Sequence, residues 1–435
     1  MCNCTWVYIR DLLEYVDHKV EIRGWIRNKR SSGKLAFLQL RDGSGFVQGV
    51  VEKKHVGPDM YALIQKLKIE SSVIVRGTVK SDERSPSGVE LLVDEVNCIH
   101  VPEHDYPIAK KEHGVDFLMQ YRHLWLRSQK QFHIMNIRHQ LIRAMKEFYH
   151  QYGFKQMDNP ILTGSIGETQ DNLFELDYYD YGTVYLCQTG QLYLEAAAMA
   201  HGRVFDFGPT FRAEKSSTRK HLIEFWMNDA EVAFYQHDDN MKLQEEFVTY
   251  FIQSILDNCQ ADLKALERDT AALMKITPPF KKITYSEAVE LLLQNGFDFT
   301  WGKDFGAPEE TFLSQHFNEP LFVEKYPKDV KAFYMQPDPD NPAVVLCSDL
   351  LAPEGYGEII GGSERIWDRD LLIQRIKESG LNPKDYQWYI ELREYGSVPH
   401  SGYGIGLERT LSWICGLQHI RETIPFPRTL YRVYP

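Results

Sequence analysis

The sequence predicts a small all-β barrel at the N-terminus and, behind a connector, a larger α+β domain. Three observations predict it. Five short β-prone runs fall between about residues 7 and 100, with a helical stretch after the third. A long apolar-periodic stretch, Gln129 to Tyr152, then reads as a helix closed by Gly153. Further on, two β-prone runs flank a polar, basic loop, and a glycine-alternating strand runs into a last helix.

The five N-terminal runs are Val20–Ile26, Leu35–Leu40, Phe46–Val51, Ser72–Val79 and Val89–Val93. Turns separate them at Gly33, Gly45 and Gly88, and the helix spans Pro58 to Leu67. Five strands with a helix after the third suit an OB-fold over residues 1–100, a barrel that often binds single-stranded nucleic acid. Arg30, Phe37 and Gln48 supply a charge, a stacking ring and an amide, the side-chain types that suit unstacked RNA bases. A barrel that only packs is the competing reading.

Residues 101–130 read as a hinge, punctuated by Pro102 and Pro107. From there to residue 435 the chain reads as one domain. Its helix from Gln129 to Tyr152 leads to a short strand, Phe154 to Pro160. Phe207–Glu214 and His221–Asp229 are the two runs around the basic loop. As strands they would put Arg212 and Glu214 on one face, and Phe225, Met227 and Asp229 on another. Asn240 to about Lys275 reads as helical and charged.

In Gly396–Arg409 the glycines Gly402, Gly404 and Gly406 fall at every second position. A strand with that spacing leaves one face bare, and a flat ligand can lie on it. Arg409 would sit in the first turn of the following helix, where backbone donors also favour anions. The spacing is G-x-G-x-G, neither a dinucleotide fingerprint nor a P-loop. Taken alone, the run is a nucleotide floor or merely a close crossing of sheet strands. Asp349 and Glu358, hard oxygen ligands before a small-residue turn, suit Mg²⁺; a surface acidic loop is the alternative.

Composition is that of an ordinary soluble protein, and no apolar run is long enough to span a membrane. Met1–Trp6 lacks the basic start and apolar core of a signal peptide. Seven scattered cysteines with no C-x-x-C pair point to thiols in a reducing cytoplasm. The net charge of −12 argues weakly against nucleic acid as a partner, but eight Lys/Arg against four Asp/Glu between Val20 and Met60 make the barrel locally basic.

Gly402–Arg409 (GYGIGLER) resembles motif 3 of class II aminoacyl-tRNA synthetases. Pro399–Gly402 (PHSG) before it and Ile424–Arg428 (IPFPR) after it narrow the resemblance to the aspartyl/asparaginyl/lysyl subgroup. The helix and strand from Gln129 to Pro160 resemble motif 1, which builds a dimer interface in the family. Phe211–Glu214 with Glu224-Phe225 resembles motif 2. The resemblance covers nearly the whole chain and implies a class II catalytic domain on an antiparallel sheet, an OB-fold that binds the anticodon, and a homodimer.

Site residues carried over by resemblance are these. Arg212 grips the α-phosphate and the reacting carboxylate, Glu214 orients the adenine, Phe225 stacks on it, and His221 reaches the outer phosphates. Gly404, Gly406, Glu358 and Arg409 complete the ATP site. Asp349 and Glu358 match ligands for Mg²⁺. Thr189 and Gln191 match holders of the substrate ammonium; Glu168, Asp229 and Arg365 match other amino-acid contacts. Arg30, Phe37 and Gln48 match anticodon contacts.

Within the subgroup the asparaginyl branch fits best, with asparagine, ATP and the asparagine tRNA, tRNA(Asn), as substrates. Gly357–Ser363 (GEIIGGS) resembles that branch, and Leu194 stands where aspartyl enzymes carry a lysine for the substrate carboxylate. Burying an underpaired carboxylate costs several kcal/mol, which neutral asparagine avoids. Two departures pull the other way. Asp229 is the aspartyl residue, and the usual Glu-Gly of the substrate loop is Glu168-Thr169. The alternatives are an aspartyl enzyme charging one or both tRNAs, or a synthetase-like paralogue that makes asparagine or binds RNA.

Overall fold

The computed structural model describes residues 4–85, 87–168, 172–216 and 218–435; Thr169 of the substrate loop lies outside them. The chain divides into two compact units, Met1–Tyr121 and Arg122–Pro435.

The first unit is a closed five-stranded barrel. Its strands are β1 (Lys19–Ser32), β2 (Leu35–Arg41), β3 (Phe46–Glu52), β4 (Ser72–Ser81) and β5 (Val89–His100), with helix α1 (Pro58–Lys66) between β3 and β4. β1 pairs with both β2 and β4, β3 pairs in parallel with β5, and β5 pairs with β4, which closes the ring. Burial alternates along β2, β3 and β4. Ala36, Leu38, Leu40, Val47, Val51, Val73 and Val75 point inward as one core, and the remaining positions face outward. β1 and β5 run longer than the sequence pattern indicates because register shifts let them continue past their apolar cores.

The second unit is built on one mostly antiparallel sheet. Its strands are β6 (Lys155–Gln156), β7 (Arg203–Phe205), β8 (Gly208–Phe211), β9 (Glu224–Ala233), β10 (Lys281–Thr284), β11 (Leu321–Glu324), β12 (Cys347–Ala352), β13 (Gly357–Glu364) and β14 (His400–Gly406). They lie in the order 10-11-12-13-14-9-7-6, with β8 also paired to β9. Only the two end pairings, β10 with β11 and β7 with β6, are parallel. One face is covered by α2 (Gln129–Gln151) and α4 (His237–Asn258). Ile134, Ile137, Leu141 and Phe148 of α2 and Phe247, Phe251 and Ile255 of α4 form one core with Ala230, Val232, Tyr403, Ile405 and Ile360 of the strands. Strand alternation then puts the intervening residues of β9 and β14 on the opposite face.

Two expected strands are shorter than their apolar pattern. Only Lys155–Gln156 of the run after α2 pairs, and β8 ends at Phe211. Arg212 and Glu214 therefore stand beyond the strand, and no shared strand face aligns them. Asn240–Lys275 is helical in three pieces: α4 from His237, then Gln260–Ala265 and Leu273–Lys275. At the start of the unit, Arg122 is fully buried and donates to the carbonyls of Pro425 and Ile424, both at 2.7 Å.

Candidate active site

The face of the sheet not covered by helices holds two adjoining cavities, of about 630 and about 100 Å³. Arg212, Met227, Glu358 and Gly404 line both. The larger also takes in Glu168, Thr189, Gln191, Asp229, Glu231, Asp349 and Arg365. The smaller takes in Glu214, His221, Phe225, Gly406 and Arg409. The residues matched to ATP, amino-acid and metal contacts in the C-terminal domain thus meet on one surface, and Arg212 stands where its two halves join.

The glycine floor differs from a uniformly bare strand. β14 lies against β9 with Gly402 opposite Glu231, Gly404 opposite Asp229 and Gly406 opposite Met227. A side chain at Gly402 would collide with the Glu231 carboxylate. One at Gly404 would begin 2.5 Å from Asp229 Oδ1 and 2.6 Å from Met227 Cε. Those two glycines make room for carboxylates laid across the sheet. Only Gly406 is open, with its nearest neighbour, Arg409 Cβ, at 4.0 Å.

In the smaller cavity the Arg212 guanidinium lies 5.5 Å from the Phe225 ring centroid. Arg409 donates to the Glu358 side chain and carbonyl, each at 3.3 Å. His221 Nε2 is 3.5 Å from Glu214, and Nδ1 meets the hydroxyls of Thr218 and Ser216. Burial and the Arg409 charge lower the His221 pKa. The cavity therefore offers two fixed cations and an aromatic ring beside an open glycine, which fits a base with phosphates attached.

The larger cavity is rich in acceptors at one end. Asp229 Oδ2 accepts from Thr189 Oγ1 at 2.8 Å and from the Gly190 amide at 3.2 Å. Its other oxygen is buried and has no partner among the described residues. Gln191 and Glu168 stand nearby on the same lining, a set suited to an ammonium group. On another wall Arg365 makes a two-pronged contact with Glu231, both N–H···O distances 3.1 Å, and donates to Ser363 at 2.6 Å. Burial opposes the Arg365 charge, yet Glu231 holds its pKa above the ordinary arginine value. Glu231 continues the alternation Phe225, Met227, Asp229 by one step, so the strand pattern could have revealed it.

Leu194 belongs to the core. It lies on helix α3 (Gln191–His201), fully buried against Ala198 and Val204, away from both cavities. A leucine there fills the core and has no charge to offer a substrate carboxylate.

The proposed magnesium ligands fit a cation. Glu358 Oε1 and Asp349 Oδ1 converge over Gly361, 3.2 and 3.6 Å from the point where a side chain there would start. Their other oxygens are held by Arg409 at 3.3 Å and by Lys331 at 2.7 Å. Burial raises the Asp349 pKa to about 6 against the pull of Lys331. Two hard oxygens over a bare backbone suit magnesium, which keeps waters and phosphates as further ligands. Lys331 is a further residue that the motifs did not mark.

In the first unit Arg30, Phe37 and Gln48 also come together. Arg30 and Phe37 are cross-strand partners, with the guanidinium 4.6 Å from the ring centroid. Arg30 donates to Gln48 Oε1 at 3.2 Å. Trp25 and Arg41, partners on the same strands, form a second such stack at 4.7 Å.

An antiparallel sheet bearing two arginines, paired carboxylates and a glycine floor, in a chain that also carries a five-stranded barrel, is the arrangement of one synthetase class. The chain belongs to the class II tRNA synthetases (D, K and N), whose family model matches residues 114–430, and residues 20–99 match the OB-fold nucleic acid binding domain. Within that class it is similar to the asparagine–tRNA ligase of Chloroflexus aurantiacus, 54% identical over 98% of each chain. It is also similar to the asparaginyl-tRNA synthetase of Pyrococcus horikoshii solved with asparaginyl-adenylate, with a TM-score of 0.95 and 44% identity over the whole of both chains. The asparaginyl-tRNA synthetase of Entamoeba histolytica in complex with asparaginyl-adenylate gives a TM-score of 0.90 at 31% identity, again over both whole chains. No helix among the described residues is long and apolar enough to cross a membrane.

Proposed function

We propose that this chain activates asparagine with ATP and transfers it to the asparagine tRNA. The observation that carries the choice of amino acid is the Arg365–Glu231 pair. Its two charges offset each other, so the wall presents a donor beside an acceptor. A carboxamide can accept from Arg365 and donate to Glu231 at once. A carboxylate has nothing to donate and meets the Glu231 charge.

In the first step a carboxylate oxygen of asparagine attacks the α-phosphorus of ATP and pyrophosphate leaves. The nucleophile is ionised near neutral pH, so no general base is required. Arg212, between the two cavities, aligns the carboxylate with the α-phosphate and offsets the charge that gathers there. Arg409 and His221 face the outer phosphates, Phe225 stacks on the adenine, Glu214 orients it, Gly406 leaves it room to lie flat, and Gly404, at the join of the two cavities, makes room for Asp229 beside it. Asp229, Thr189, Gln191 and Glu168 hold the ammonium end. Asp349 and Glu358 are the residues that would hold Mg²⁺, which supplies positive charge to the phosphate oxygens when bound. In the second step the terminal ribose hydroxyl of the tRNA attacks the adenylate carbonyl and AMP leaves.

Arg30, Phe37 and Gln48 bind unstacked anticodon bases by stacking and amide contacts. Residues 1–100 serve as the anticodon-binding domain, 101–130 as the hinge and 131–435 as the catalytic domain. The helix and strand after the hinge support a homodimer, and the cysteine pattern supports the cytoplasm. The test is aminoacylation of purified asparagine and aspartate tRNAs with each amino acid. Charging of the asparagine tRNA with asparagine is expected; a preference for aspartate overturns the reading.

A further inference from the structure

Behind the Arg365–Glu231 wall of the amino-acid cavity lies a buried cluster whose hub, Glu195, none of the assigned roles uses. Ligand atoms of Glu195, Glu231 and His400 lie within 4.8 Å of one another, a spacing compatible with a metal ion. Cationic side chains occupy that position instead: Arg365 grips Glu231, and Arg393 reaches Glu195 at 2.6 Å. Glu195 is the hub. The Tyr389 hydroxyl donates to its carboxylate, 2.7 Å from each oxygen; the carboxylate also faces His400 Nε2 at 3.0 Å and accepts from Gln191 Nε2 at 3.1 Å. Glu195, Arg393 and His400 are wholly buried. Burial pushes the Glu195 carboxyl up, but Arg393 and His400 outweigh it and hold it well below the usual carboxylate range.

Of the side chains bonded to Glu195, Gln191 also lines the cavity. It stands one helical turn before Glu195 at the start of α3. An ionised carboxylate only accepts hydrogen bonds, so Gln191 must turn its NH₂ toward Glu195. Its carbonyl oxygen is then left to face the cavity. The opposite orientation would set that oxygen against the carboxylate and present a donor to an incoming ammonium.

We propose that Glu195 is a positioning residue for amino-acid binding, fixing Gln191 with its carbonyl oxygen toward the substrate ammonium. This rests on the ammonium reading of the acceptor-rich end given above. It also gives a place to His400 of the Pro-His-Ser-Gly run, which packs against Glu195 and donates or accepts nothing in the cavity.

The test is a double-mutant cycle read by ATP–pyrophosphate exchange. Glu195→Gln supplies a side chain that can donate as well as accept, which frees Gln191 to flip. It is expected to raise KM for the amino acid about tenfold, with KM for ATP and kcat changed less than about twofold. In a Gln191→Met background the same substitution is expected to change KM by less than about twofold, because the amide it orients is gone. An equal rise in both backgrounds, or none in the wild-type background, overturns the proposal. Because Glu195→Gln leaves Arg393 without its counter-charge, the cycle is repeated with Glu195→Gln/Arg393→Gln. If neutralising Arg393 were the whole role, this pair would restore KM; the proposal expects KM to stay raised. The cycle uses whichever amino acid the wild-type enzyme activates. A preference for aspartate would therefore overturn the asparagine assignment while leaving the ammonium claim testable.

Discussion

Glu231→Gln tests the basis of side-chain selection. In the wild type Glu231 takes two Arg365 donors at 3.1 Å and cancels its charge. The variant keeps the shape of the wall but leaves the guanidinium charge uncompensated. A substrate carboxylate about 5 Å away, at an effective dielectric near 20, would then gain about 3 kcal/mol, or a factor of roughly 10². Asparagine loses a charged acceptor for its NH₂, about 1.5 kcal/mol or roughly tenfold. The ratio of kcat/KM for asparagine over aspartate is therefore expected to fall by about 10³. ATP–pyrophosphate exchange with each amino acid measures it. Breaking a buried pair costs about 3–5 kcal/mol of stability, so the assay runs well below the melting midpoint of the variant. A variant that loses asparagine activity while gaining nothing for aspartate would show Glu231 to be structural, and the donor–acceptor argument would fail.

Two other expectations follow from the structure. Gly404→Ala puts a methyl against Asp229 Oδ1, which Thr189 and Gly190 hold in place. Overpacking of that kind costs about 1–3 kcal/mol, so KM for asparagine should rise about 5- to 150-fold. Gly406→Ala meets nothing closer than 4.0 Å and should raise only KM for ATP; equal effects from the two would refute the division of the floor. The His419 ring accepts from the Arg421 amide at 3.2 Å, and burial with the Arg421 and Arg219 charges lowers its pKa to about 4. The neutral ring is favoured in the fold, so its contribution is complete above pH 6.5 and is lost as pH falls toward 4. At most about 3 kcal/mol is involved, less for the wetted part of the ring. Urea midpoints between pH 6.5 and 4 should therefore fall less steeply for His419→Gln than for the wild type.

Much of the site was legible because its chemistry is written in short runs. Arg409 follows its glycines within a few residues, and the barrel residues Arg30, Phe37 and Gln48 alternate on neighbouring strands, so local periodicity brings each set together. Residues whose partners lie far along the chain were not legible. Glu195 meets Arg393 across 198 positions, and nothing local marks that glutamate as buried rather than solvated; Glu231, whose partner Arg365 lies 134 positions on, is marked only by the alternation of β9. Lys331 lies in none of the motif runs, although its partner Asp349 is only 18 positions on. Leu194, next to Glu195 on α3, packs with Ala198 and Val204 in the core, and nothing local in the sequence says which way it points. Arg212 and Glu214 were placed on a strand face because alternation gives no signal for where pairing stops.

The grip of Arg122 on Ile424 and Pro425 spans more than 300 positions. During synthesis the first residue of the second unit has to wait for almost the last ones before its guanidinium finds those carbonyls. The pairing of β9 with β14 likewise waits for the segment after residue 400. Until then Phe247, Phe251 and the apolar side of β9 have no finished sheet to cover. The nascent chain thus carries exposed apolar surface for most of its elongation, and that interval is when it is open to aggregation and to chaperone capture.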